Sequence, residues 1–179
     1  INGNTETATE EAALDSIYPI DTDVTLTYWM ELNSNVAENY NNMADTPFGR
    51  NLTRQTGVNI EYIHPAAGQV AEAFNLLLSE KVLPDIIENN WLDYSGGPQK
   101  AIKDGIIIPL NDVIEQYCPN LKAYLEANPE IDAMVKTDDG TYYCFPIIRG
   151  GDALLTSTGL VLREDWLEEL HLEIPETIE

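Results

Sequence analysis

The stretch VNIEYIHPAAGQVAEAFNLLLSEKVLPDII, residues 58–87, decides the fold. It opens on Val58-Asn59-Ile60-Glu61-Tyr62-Ile63, where apolar and polar residues alternate with the period of a strand covered on one face. Pro65 closes that run. From Gln69 to Val82 the period changes. Val70, Phe74, Leu77, Leu78 and Lys81 fall on one side of a helix, an apolar face with a charged edge. Pro84-Asp85-Ile86-Ile87 returns to a short strand. A strand, a helix and a second strand in this order make a crossover unit, whose strands lie parallel and whose connection is right-handed.

Working outward, Val24-Thr25-Leu26-Thr27-Tyr28-Trp29 is rich in β-branched and aromatic residues and reads as a preceding strand. The segment Asn39–Gln55 reads as helix interrupted at Pro47, with Gly57 as its stop. Downstream, Gln99–Asp104 reads as a short helix ended by Gly105, and Ile106-Ile107-Ile108 as a fourth short strand. Asn111 is placed to cap a helix carrying Val113, Ile114 and Tyr117; Pro119 breaks it, and Leu121, Tyr124 and Leu125 share a side of the next one. Asp138-Asp139-Gly140 is a hairpin turn signal inside Lys136–Phe145. Leu160-Val161-Leu162 reads as a strand, and Arg163–Leu170 as a helix with Trp166, Leu167 and Leu170 facing inward. The alternation predicts an α/β fold with a largely parallel sheet.

Composition limits what such a fold does. The chain has 179 residues, with 9 Lys+Arg against 31 Asp+Glu, a formal net charge of −22. So acidic a surface repels phosphate backbones and anionic headgroups, which excludes nucleic acid and anionic membrane as partners. No Lys or Arg precedes Arg50. Residues 1–22 are polar, acidic and aperiodic, and read as a flexible tether before an α/β lobe over 23–179. Two cysteines, Cys118 and Cys144, make neither a disulfide scaffold nor a four-cysteine zinc site; they read as buried free thiols, with a bridge between them in an oxidising location as the alternative. No nucleophile elbow or phosphate-binding loop occurs, and His64 and His171 have no metal-ligand spacing. No catalytic residue, metal or cofactor is expected. A surface adhesion module without a small ligand is an alternative in another class.

In open α/β sheets, ligands bind beyond the carboxyl ends of the strands. The first strand leaves through Trp29-Met30-Glu31-Leu32-Asn33, the second through His64-Pro65, and the third through Glu88-Asn89-Asn90-Trp91, with Tyr94 close behind. Aromatic rings pack on the C–H faces of sugars, and amides and carboxylates pair with their hydroxyls. This mixture therefore suits a polyhydroxylated ligand, and Trp29, Glu31, Asn33, His64, Glu88, Asn89, Asn90, Trp91 and Tyr94 are the expected contacts. Arg149, before Gly150-Gly151, is a further ligand clamp or hinge element, with a surface ion pair as its ordinary alternative. Glu31 and Glu88 form a glycosidase pair only if their separation fits.

Four blocks carry a family resemblance. Asn51-Leu52-Thr53-Arg54-Gln55-Thr56-Gly57-Val58 resembles a "helix, then T-G-V, then strand" signature, and Phe74–Ile87 a "helix, then L-P-D-I-I" block. Asp139–Pro146 is similar to a "D-G-K-x-Y-x-x-P" hairpin, and Leu162–Leu170 with Pro175-Glu176-Thr177 to "R-x-D-W-L-x-x-L … P-x-T". In this order they resemble the extracellular solute-binding proteins of bacterial ABC transporters, in particular the carbohydrate-binding lipoproteins of Gram-positive bacteria. The resemblance implies a periplasmic-binding-protein-like lobe, a mainly parallel sheet flanked by helices, as the N-terminal part of a two-lobed receptor. It implies an oligosaccharide held between the lobes, ABC permease subunits as partners, a lipid anchor upstream of residue 1, and an extracellular location. Oligopeptides or other polar solutes are the alternative ligands, and a secreted carbohydrate-active enzyme the alternative class. Thr177 reads as the N-cap of a helix continuing past Glu179.

Overall fold

The computed structural model describes residues 18–150 and 161–175. Its contacts divide the chain into two compact units, Ile1–Tyr143 and Cys144–Glu179. The first unit is built on a three-stranded parallel sheet in the order β2-β1-β3, formed by β1 (Thr25–Trp29), β2 (Asn59–Ile63) and β3 (Ile86–Ile87). Between them run α1 (Ser34–Ala37), a 3₁₀ turn at Met43–Asp45, α2 (Pro47–Thr56) and α3 (Val70–Leu77). A second 3₁₀ turn at Trp91–Asp93 leads to α4 (Gly97–Lys103), α5 (Asn111–Tyr117), α6 (Pro119–Ala127) and α7 (Pro129–Met134). The sequence expectation of an α/β unit with parallel strands holds.

Local chemistry explains the boundaries. Helix α2 begins where Thr46 accepts the Gly49 N–H at 3.0 Å while donating to the Met43 carbonyl at 2.7 Å, with Pro47 behind it. Proline is tolerated there because its missing N–H belongs to a first-turn donor that has no helical partner. The helix ends at Gly57, whose φ of 76° lies in the left-handed region. A Cβ there would fall 2.1 Å from the Ile20 carbonyl oxygen, so the position is closed to any side chain. The Ile20 N–H donates to Thr56 at 2.7 Å, which ties the chain before β1 to the end of α2. Of the expected tether, residues 1–17 lie outside the described residues.

The core of the first unit follows the aromatic pattern. Odd residues of β1 face α3, and Trp29 is 3% exposed. Its ring lies 5.9 Å from Phe74, and Phe74 meets Trp91 edge-on at 5.7 Å. Phe74 and Leu77 are the buried residues of α3. On the other face Tyr28 and Tyr62 are register partners and stack at 5.6 Å. Ile114, Leu125 and Val135 bury the faces of the later helices.

Strand β3 is only two residues long, yet its start is fixed by a side chain. One oxygen of Asp85 accepts the Thr27 N–H at 2.8 Å and the Thr27 hydroxyl at 2.7 Å, and the Asp85 N–H donates to the Thr27 hydroxyl at 2.9 Å. The aspartate of the L-P-D-I-I block thus extends the ladder by one step before Ile86 pairs with Tyr28.

Several expectations are corrected. Ile106–Ile108 forms no strand, because Gly105 turns the chain at φ 75° and the Ile106 N–H returns to Ala101 at the end of α4. Asn111 does not cap α5. Its side chain donates to the Gly140 carbonyl and accepts the Tyr142 N–H, clamping the helix to the hairpin. That hairpin is reduced to one antiparallel bridge, Lys136 to Tyr142. In the second unit α8 (Glu164–Glu169) leaves Trp166 59% and Leu170 65% exposed, so the inward reading of those two fails. A six-residue helix with no facing element among this unit's described residues buries little; Trp166 instead carries the Arg163 guanidinium over its ring at 5.0 Å. Leu160, Gly151 and Thr177 lie outside the described residues, and Val161 and Leu162, which are described, form no strand.

Two outcomes test this account. Thr46→Ala, at a site 5% exposed, removes the cap of α2 and lowers unfolding free energy by about 1–2 kcal/mol in urea titration. Asp85 is held below its ordinary value of 3.8, first by the Thr27 backbone N–H and then by its hydroxyl. A lowered folded value stabilises the fold above the unfolded value, and the contribution is lost as pH falls through the folded one. Asp85→Asn therefore lowers the thermal midpoint at pH 7 and shrinks the difference from the parent as pH falls below about 4.

Candidate functional site

The parallel register brings the strand exits level. Trp29 pairs with Ile63 on one side and Ile87 on the other. Just beyond, the Met30 N–H donates to Ile63 at 3.0 Å and the Glu88 N–H donates to the Trp29 carbonyl at 2.9 Å. His64, Met30 and Glu88 therefore follow one another along the carboxyl edge of the sheet, with Glu31 and Asn33 leaving from the middle strand and Asn89 and Asn90 from β3.

The expected residues play unlike parts. Glu31, Asn33, Glu88 and Asn90 are exposed, and Asn89 is half-buried. Asn33 and Asn90 both serve as caps, accepting the N–H of Asn35 at 3.0 Å and of Leu92 at 3.3 Å. These bonds use the amide oxygens and turn each exit sharply away from the strand direction. Trp29 and Trp91 are 3% and 5% exposed and belong to the aromatic core beneath the edge. Tyr94 packs against Trp91 at 6.4 Å and donates its hydroxyl to Asp104 at 2.8 Å. Arg149 is exposed in the second unit.

His64 is committed to the backbone. Its Nε2 accepts the Met43 N–H at 3.1 Å, so Nδ1 carries the proton and donates to the Met30 carbonyl at 2.9 Å. The neutral ring stacks on Tyr62 at 6.2 Å and pins the 3₁₀ turn at Met43–Asp45 to the ends of β1 and β2. Sequence reasoning could place His64 at an exit but not assign both nitrogens.

One participant was missed. Tyr28, the residue before Trp29, donates its hydroxyl to Glu88 Oε2 at 2.7 Å. Burial first, then the Glu88 carboxylate, hold this phenol well above its ordinary value of 10.0, so it is a neutral donor. Tyr28 lies within a strand, and only the register of β1 with β3 shows that it reaches an exit residue. Hollows of different character open on the first unit. An apolar groove of about 340 Å³ runs between α3 and the sheet, lined by Trp29, Ile63, Leu77 and Leu83 among others. A polar one of about 590 Å³ lies between α4 and the hairpin, where Gln99 donates to Asp139. Neither includes Glu31, Glu88 or Asn89. Among the described residues no group of His, Cys, Asp and Glu is arranged to hold a metal ion.

No family model matches the chain. A fructooligosaccharide ABC transporter substrate-binding protein, FusA, of Streptococcus pneumoniae serotype 4 is 36% identical over 131 residues, which cover 70% of this chain and 24% of that protein. Solved structures of S. pneumoniae FusA also match. An EF-hand mutant in complex with fructo-nystose superposes with a TM-score of 0.68 at 31% identity, covering 86% of this chain and 31% of that one. The complex with kestose gives 0.65 at 28% identity, with the same coverage. The chain thus spans about a quarter of the length of its curated relative. The resemblance read from four sequence blocks is matched by identity and by fold: the chain is homologous to part of an ABC-transporter substrate-binding protein, and its first unit has the α/β architecture of a periplasmic-binding-protein-like lobe.

Proposed function

We propose that this chain forms the N-terminal lobe of an extracellular receptor that binds an oligosaccharide and delivers it to an ABC permease. The observation that carries this reading is the 36% identity to a fructooligosaccharide-binding protein over 131 residues. The chemistry of the carboxyl edge supports it. Glu31, Glu88 and Asn89 offer acceptors and donors there, and Asn33 and Asn90 keep their amide nitrogens while their oxygens cap the following turns. His64 holds the edge in place through the backbone, and Trp29, Trp91 and Tyr94 form the floor on which it is mounted.

In this reading the ligand lies between this lobe and a second α/β lobe, and its contacts favour the closed arrangement. Residues 1–22 act as the tether to a lipid anchor at the cell surface. The protein has no catalytic role: it captures its solute and releases it unchanged. A ligand without anionic groups suits the edge, since Glu31 and Glu88 both bring negative charge there.

Calorimetry of the full-length encoded protein against kestose, nystose and a panel of glucose-based oligosaccharides and peptides tests this. Saturable binding of at least one oligosaccharide is the expected result, weakened by Glu31→Ala and Asn89→Ala by about tenfold or less each, as single hydrogen bonds warrant. Clear binding of peptides with none of the sugars would sink the sugar assignment and retain the receptor class.

A further inference from the structure

We propose that Tyr28 is a positioning residue for ligand recognition: its hydroxyl holds Glu88 so that one carboxylate oxygen is spent and the other faces the ligand. The inference rests on the oligosaccharide-receptor reading and assigns a specific part of that site. Glu88 is fixed twice. Its N–H is bonded to the Trp29 carbonyl at 2.9 Å, and its Oε2 accepts from Tyr28 at 2.7 Å. Register explains why the two meet. Tyr28 pairs with Ile86, and side chains alternate along a strand, so Glu88, two residues beyond Ile86, emerges on the Tyr28 face. A carboxylate held through one oxygen still has Oε1, with its two lone pairs, to accept a hydroxyl donor in a set direction.

The bond is poorly explained as a stabilising one. Glu88 is exposed and joins no ion pair among the described residues, so water would solvate it as well. Meanwhile the neighbouring Tyr62, stacked on Tyr28, has a buried hydroxyl with no hydrogen-bond partner among the described residues. A fold optimised for stability alone would satisfy that buried group first, because an orphan donor inside the protein is costly and an exposed carboxylate is not. The Tyr28 hydroxyl instead points to the edge. What it gains is orientation of a group that would otherwise sample several rotamers, which lowers the cost of ordering Glu88 when a ligand arrives.

A double-mutant cycle on the full-length protein, titrated with kestose, separates this from a structural role. Tyr28→Phe raises the Kd about tenfold, and Glu88→Ala raises it by at least as much. In the Glu88→Ala background Tyr28→Phe changes Kd less than about twofold, because its effect passes through Glu88. Tyr62→Phe, which removes a hydroxyl from the same stack, leaves Kd within about twofold. A Tyr28→Phe effect that persists undiminished without Glu88, or that Tyr62→Phe reproduces, overturns the inference. So does a folded Glu88→Ala protein that binds kestose as the parent does. Failure of the parent to bind any oligosaccharide overturns the receptor reading itself and removes this inference with it.

Discussion

Trp29 is where the core and the edge of this lobe become one structure. Its ring is buried against Phe74, which meets Trp91 edge-on, so a residue from the central strand, one from the crossover helix and one from beyond the third strand share a single aromatic cluster. Its carbonyl accepts the Glu88 N–H. The backbone that carries the exit residues is thereby set by the packing of three large rings. Truncating a buried aromatic of this kind costs about 3–5 kcal/mol, so the cluster tolerates little displacement. The direction in which Glu88 leaves the sheet inherits that rigidity.

Periodicity made much of this visible in the sequence. β1, β2 and the crossover helix were readable because alternation and helical spacing are local properties of the chain. Gly57 was readable as a stop for the same reason. What could not be read depended on partners distant in sequence. Asn111 looks like a cap by position, yet the hairpin 29 residues on offers its side chain a carbonyl and an N–H at once. Ile106–Ile108 has strand composition, but a strand needs a neighbour, and the chain there is tied to the end of α4 instead. Trp29 and Trp91 have the composition of a sugar-stacking surface, and burial is not a property that composition reports. Tyr28 had no signal at all, since its role exists only through the register of two strands.

The charge of −22 takes on a more specific meaning in the structure. Several carboxylates serve as fixed hydrogen-bond acceptors. Asp85 starts β3. Asp139 holds the hairpin turn by accepting from Thr137, Thr141 and Gln99, which lowers its carboxyl to about 2. Asp132 accepts from both Lys136 and Tyr142 and is lowered chiefly by Lys136. These acids work because they are ionised, and their protonation removes bonds from the hairpin and from the sheet edge. Acidity here is a framework element as well as a solvated surface.

In the receptor reading proposed above, that framework bears on how the edge would recognise a neutral, hydroxyl-rich ligand. Each hydroxyl replaces its water bonds with protein bonds of similar strength, so net affinity depends on how little the protein must reorganise. An edge of freely rotating carboxylates and amides would lose rotamer entropy for every contact made. Here Asn33 and Asn90 are held by the backbone amides they cap, His64 by two backbone groups, and Glu88 by its own N–H and by Tyr28. Much of the ordering has occurred during folding. In the receptor reading proposed above, the interactions that terminate the strands and start the next turns also prepare the donors and acceptors for the ligand.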